Sequence, residues 1–228
     1  MKMIDDPYVL ENGTLKNKLG ITDYNKLKSA EADIGFVKLI DIDSISKGKL
    51  ESSIVCKLHR HIFEDIFDWA GEYRTVPIFK EEIVIPGMSL KYEKPEKISK
   101  SLEEKIKILD RTNWQQMTTK QISLEFARKL ALIWKVHPFR DGNTRTTLAF
   151  ADLYAREHGF SFNMGYLLDN LTRQFNENGR IKKYSIRDKF VLAALDDKDY
   201  PEPEHLARLL EIAIEQGKDK IKDNDIDR

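Results

Sequence analysis

The chain has 228 residues, 41% of them hydrophobic and 33% charged, a mixture that suits one folded domain with a small appendage and excludes a disordered or fibrous polymer. Its 38 Lys and Arg balance 38 Asp and Glu, so no general electrostatic pull draws it to nucleic acid or a membrane surface, and no apolar run approaches spanning length. One cysteine, Cys56, permits no internal disulfide, and beside Ile54, Val55 and Leu58 it reads as a small buried hydrophobe.

Met1 to Leu10 has no apolar signal core, which predicts a cytoplasmic protein and leaves export by another kind of signal open. Residues 5 to 21 are broken by Pro7 and Gly13 and read as irregular. Thr22 or Asp23 then caps a helix whose Leu27, Ala30, Ile34 and Val37 form its apolar stripe. After Gly48, the spacing of Ile54, Leu58 and Ile62 predicts a second helix ending around Trp69-Ala70-Gly71; His59 and His61 lie two apart on it, on different faces, and read as ordinary histidines. From Tyr73 to Ile85 the pattern changes, with Val76, Ile78, Ile83, Val84 and Ile85 around Lys80-Glu81-Glu82, and predicts a hairpin over about 73–86. Pro95 opens a helix striped by Ile98, Leu102, Ile106 and Leu109. Thr118 or Thr119 caps the next, which carries Ile122, Phe126, Leu130 and Ile133. Beyond Gly159, Leu167, Leu168, Leu171 and Phe175 suggest a helix ending near Asn178-Gly179, and Ile186, Phe190, Leu192 and Ala194 another. Residues 201–228 read as a C-terminal amphipathic helix, from Leu206 to Ile214, with a charged tail from Lys218 that frays. The fold class is mostly α, a helical bundle with one β-hairpin.

The stretch between the fourth and fifth helices, His137-Pro138-Phe139-Arg140-Asp141-Gly142-Asn143-Thr144-Arg145, concentrates chemistry. Pro138 ends the preceding helix and pushes His137 toward an extended conformation, with its imidazole free to face a cleft. Phe139 is the structural anchor, Gly142 permits a sharp turn, and Asn143 or Thr144 caps the following helix, which runs to Gly159. Free N–H groups at a helix N-terminus favour an anion such as phosphate, and Arg145 in the first turn strengthens that preference. Asp141 beside a phosphate calls for a bridging cation, for which Mg²⁺ held by one carboxylate and substrate phosphates is the usual arrangement. His137 supplies a base. As ordinary connector chemistry the same stretch would only cap a helix and pair Arg145 with a surface carboxylate, but its place directly after a strongly apolar helix argues for a cleft.

These residues resemble the signature of the Fic family, His-Pro-Phe-any-Asp/Glu-Gly-Asn-Gly-Arg-any-any-Arg. The match runs from His137 to Asn143 and includes Arg145, with Thr144 at the usual glycine and Leu148 at the usual second arginine. Leu15 to Ile21 and Phe67 to Val76 are similar to the family too, so the likeness covers roughly the first three quarters of the chain. It implies a Fic-like domain over 1–200, with its core at about 50–180 and the hairpin as a flap over the active site. It further implies a protein adenylyltransferase, a bacterial toxin or effector, that moves AMP from ATP to a hydroxyl of a target protein. On that reading His137 is catalytic, Asp141 holds Mg²⁺, and Arg140, Gly142, Asn143, Thr144 and Arg145 bind nucleotide and phosphate. The flap residues Ile78, Phe79, Lys80 and Glu81 then dock the target by main-chain pairing. No Ser/Thr-any-any-any-Glu-Gly/Asn inhibitory motif is found in the chain, so restraint by a separate antitoxin-like inhibitor chain is one expectation. The alternative reading is a catalytically altered Fic-like protein that serves as a binding module or uses another phosphate-containing donor.

Overall fold

The computed structural model describes residues 6–42, 45 and 50–226, with side chains as far as 218. Gly48 lies outside the described residues. The helices are α1 (Tyr24–Ile40), α2 (Ser53–Phe63), α3 (Ile98–Asp110), α4 (Thr119–Val136), α5 (Asn143–Glu157), α6 (Met164–Leu168), α7 (Ile186–Ala193) and α8 (Glu204–Ile226). The one sheet among the described residues pairs β1 (Gln174–Phe175) antiparallel with β2 (Ile181–Lys183). The fold is thus mostly α.

At the centre lies α4, capped by Thr118, whose hydroxyl accepts from Gln121 N while the Gln121 side chain returns to Thr118 N. Its Phe126, Leu130 and Trp134 have no exposed surface, and it packs against α3, α5, α7 and α8. Trp134 stacks on Phe190 of α7 with ring centroids 5.3 Å apart. Leu148, Phe150 and Tyr154 of α5 are likewise fully buried. Along α8, Leu206, Leu210, Ala213 and Ile214 are buried in the same core. Its backbone stays helical to Ile226, into the stretch expected to fray. Among the described residues no helix is long and apolar enough to cross a membrane.

Several expected elements fall differently. Asp23 caps α1 by accepting from Lys26 N, but the buried face is Leu27, Glu31, Gly35 and Leu39, and Val37 is 65% exposed. The face turns because Glu31 is drawn inward by Arg145, for which the missing Cβ of Gly35 leaves room. Helix α2 stops at Phe63, and separate turns carry the chain on to Gly71. The hairpin expected at 73–86 is absent. Residues 78–83 alternate inward and outward as a strand does, with Ile78, Lys80 and Glu82 inward and Phe79, Glu81 and Ile83 outward, but among the described residues no second strand pairs with them. The hairpin lies instead at 174–183, where a helix was expected; Asn176 caps its turn by accepting from Asn178 N and Arg180 N.

Candidate active site

The connection from α4 to α5 is held from four sides. His137 leaves α4 in the left-handed region (φ 50, ψ 60), not extended as expected. The right-handed region is disfavoured before Pro138, and the left-handed turn lets His137 N–H donate to Trp134 O at 3.0 Å. A non-glycine residue there costs about 1–3 kcal/mol, so the surroundings must impose it. Arg74 does so. Its buried guanidinium donates from Nε to His137 O at 2.8 Å, from Nη1 to Val76 O at 2.8 Å and from Nη2 to Glu93 O, while its own N–H donates to Pro138 O at 2.9 Å.

Asn143 closes the loop by accepting from Phe139 N at 2.9 Å and donating to Phe139 O at 2.8 Å. Phe139 is wholly buried and stacks at 3.7 Å on His59. His59 Nδ1 accepts from Gly71 N–H at 2.8 Å, so Nε2 carries the proton and donates to Asp141 O at 3.1 Å. Burial, then the nearby Arg145, hold its pKa at about 3, which keeps the ring neutral. The N-cap of α5 is Gly142 (φ 77) rather than Asn143 or Thr144, whose side chains are engaged elsewhere. A Cβ at Gly142 would lie 2.3 Å from the Phe63 ring. Thr144 Oγ1 accepts from Trp134 Nε1 at 3.1 Å.

A cavity of about 640 Å³ opens over this loop and brings together His137, Asp141, Gly142, Asn143, Thr144, Arg145 and Lys80. Arg140 does not line it: its guanidinium pairs with Asp6 at 2.8 Å, a carboxylate far off in sequence that turns it away. Phe79 and Glu81 point to solvent and Ile78 packs on the core, so of the four flap residues only Lys80 faces the cavity.

The first turn of α5 leaves the N–H groups of Asn143, Thr144 and Arg145 without intrahelical acceptors, since Thr146 N is the first to bond back, to Gly142 O at 3.0 Å. Gly142 N–H donates to Asp141 Oδ1 at 2.6 Å. Residues that sequence spacing did not single out complete the site. Lys28 Nζ stands 2.5 Å from Asp141 Oδ2, and Glu31 takes Arg145 Nη2 at 2.8 Å and Nη1 on its carbonyl at 2.7 Å. These contacts span more than 100 positions, and no local pattern announces them. Burial pushes the Asp141 carboxyl up, but Lys28, Lys80 and Arg145 outweigh it and hold the group well below the usual carboxylate range.

His137 is 1% exposed, sandwiched by Tyr92 at 4.1 Å and Trp134 at 5.1 Å. Tyr92 is fixed in turn through its hydroxyl, which donates to the buried Glu82 at 3.0 Å, and Glu82 accepts both terminal nitrogens of Arg187 at 2.7 Å. Burial, then Lys80, Arg187 and Arg74, push the imidazole well below its ordinary pKa, so it is neutral and able to accept a proton. Its Nε2 is 3.5 Å from Lys80 Nζ, and its Nδ1 is buried without a partner among the described residues.

The sequence model of the Fic/DOC family matches residues 49–155, which take in α2 to most of α5 and the whole loop. The chain is 27% identical over 184 residues to "Protein adenylyltransferase VbhT" of Bartonella schoenbuchensis, covering 79% of this chain and 36% of that one. It is 26% identical over 171 residues to a "Protein adenylyltransferase" of Bartonella henselae, covering 70% and 31%. The chain thus spans about a third of the length of these curated relatives. Its fold is similar to the solved structure of the VirB-translocated effector BepC from Bartonella tribocorum with bound AMPPNP, at a TM-score of 0.61 and 19% identity over 90% of this chain and 95% of that one. The left-handed histidine and the glycine-capped start of α5 both lie within the stretch, residues 49–155, that matches the Fic/DOC family model.

Proposed function

We propose that this protein is an adenylyltransferase that moves AMP from ATP to a side-chain hydroxyl of a target protein. The observation that carries the reading is geometric: a neutral, immobilised imidazole faces the same cavity as the open N-terminal turn of α5 and Arg145. The relatives named as adenylyltransferases and the AMPPNP in the similar effector structure support the donor.

In this mechanism the N–H groups of Asn143 and Thr144, with Arg145, hold phosphate oxygens and orient the α-phosphorus. His137 Nε2 takes the proton of the target hydroxyl as its oxygen bonds to that phosphorus, the bond to the bridging oxygen breaks, and pyrophosphate leaves. Among the described residues no set of three or more His, Cys, Asp or Glu gathers as a metal cage. Mg²⁺ needs none, because one ionised carboxylate plus substrate phosphates suffices, and Asp141 fits that role with the ion taking the place of the Lys28 ammonium. The ion would neutralise phosphate charge. Arg140, paired with Asp6, is given no part in nucleotide binding.

The target docks by main-chain pairing along 78–81, whose backbone groups make no hydrogen bond to one another or to the other described residues. A small inhibitor chain would sit at the cavity mouth, where Phe36 is 51% exposed. The protein acts in the bacterial cytoplasm or, like the VirB-translocated effector whose fold it resembles, after export. A second reading, a docking module that no longer transfers, is favoured by one observation: Asp141 and Arg145 are both bonded to α1, through Lys28 and Glu31.

Incubation with α-labelled and γ-labelled ATP, Mg²⁺ and a lysate separates the readings. Transfer of α label alone, lost by 100-fold or more in His137→Ala, is the expected result, given the usual weight of a general base. No transfer by the unmodified protein together with no ATP binding would favour the docking module, and γ label would mean phosphorylation.

A further inference from the structure

Four cations line the cavity, and three are already bonded to carboxylates. Lys28 meets Asp141 and Glu31, Arg145 meets Glu31, and Arg187 meets Glu82. Among the described residues Lys80 has no carboxylate at ion-pair distance; the one group in hydrogen-bond reach of its Nζ is His137 Nε2, at 3.5 Å. An ammonium resting against a neutral imidazole covers the lone pair that the base would use. Burial lowers the Lys80 pKa and outweighs the opposing pull of the Asp141 charge, with the Arg187 charge adding to the lowering, so the site withholds part of the solvation an ammonium needs and rewards an incoming anion. Among the described residues no backbone hydrogen bond holds the stretch around it, 78–81, and its side chain lines the open cavity into which it can swing. Meanwhile α5 sends only Arg145 as a cation into the cavity, because Leu148 is wholly buried in the core.

We propose that Lys80 is a phosphate-binding residue of the transfer site, and that it shifts from His137 Nε2 to the donor's phosphate oxygens as the donor arrives, so that the base is uncovered only when a donor is present. The inference rests on the adenylyl-transfer reading above and adds a residue from outside the α4–α5 loop to its machinery. With Lys80 seated on Nε2 the ring proton must lie on Nδ1, the nitrogen that has no partner. Once Lys80 turns to the phosphates, Nε2 is free to accept the target's proton, and the lysine's charge stabilises the oxygens from which pyrophosphate departs.

The test uses the full chain and inorganic pyrophosphate, with binding read by calorimetry and the His137 ring nitrogens by NMR. Loss of a charge-assisted contact to phosphate predicts roughly ten- to hundredfold weaker binding for Lys80→Met. Lys80→Arg, which keeps the charge, should bind within about threefold of the unmodified protein. Pyrophosphate should raise the His137 pKa in the unmodified protein, while in Lys80→Met it should start higher and move less. Unchanged affinity in Lys80→Met, equal losses in both variants, or no pyrophosphate binding by the unmodified protein would each overturn the inference. Label transfer is measured separately: a Lys80-dependent pyrophosphate site without AMP transfer sinks the adenylyl reading alone, and intact transfer with a Lys80-independent site sinks this inference alone.

Discussion

The loop from His137 to Arg145 and the segment from Ile78 to Glu81, which reaches it through Lys80, border the same cavity and are built in opposite ways. In the loop each unusual backbone feature has a partner: Arg74 on the His137 carbonyl, Asn143 on both main-chain groups of Phe139, His59 on Asp141 O, and the Phe63 ring against Gly142. In the segment the backbone is unpaired among the described residues, and every second side chain faces solvent, with Phe79 81% exposed. Chemistry demands positions fixed to fractions of an ångström, whereas main-chain recognition demands a free edge. Rigidity and openness are thus divided between neighbouring stretches of one site.

The sharpest way to break the contrast is to loosen the loop. Arg74→Met leaves three carbonyls without their donor, that of His137 buried and those of Val76 and Glu93 partly so, and should cost about 3 kcal/mol of stability in denaturant unfolding, with a fall in kcat that exceeds any change in KM for ATP. A kcat within threefold of the unmodified protein would mean that the left-handed His137 needs no such support. Gly142→Ala drives a methyl into Phe63 at a positive φ, and a loss of about 2 kcal/mol is expected from thermal unfolding.

The buried histidines give a pH signature. Folded His59 stays neutral down to about 3, whereas unfolded it protonates near 6.5, so between those values the unfolded state binds more protons. Stability must therefore fall as pH falls through that window, by about 1.4 kcal/mol per pH unit for this side chain, and the low pKa of His137 acts in the same sense. His59→Gln should remove the first contribution; an unchanged slope would place that proton uptake elsewhere. The smallest effect belongs to the open segment. Phe79→Ser should change stability by less than about 0.5 kcal/mol and leave ATP binding intact while weakening transfer to a protein target. A large stability loss there would mean the segment is not free.

Periodicity along the chain was enough to find α1, α3, α4, α5, α7 and α8, because an amphipathic helix repeats its burial every three to four residues. It misjudged 73–86, since an alternating pattern records which side chains turn inward but not whether a second strand lies alongside. The polar loop after α4 was legible for the same local reason: Pro138 and Gly142 punctuate, and the residues between them have few other uses. What no local pattern contains is who meets whom across the fold. That Lys28 and Glu31 reach Asp141 and Arg145, that Asp6 withdraws Arg140 from the cavity, and that Arg74 twists His137 into its left-handed pose are decided only when helices far apart in sequence pack together. Burial then presses these charges to find partners, and the choice of partner belongs to tertiary structure.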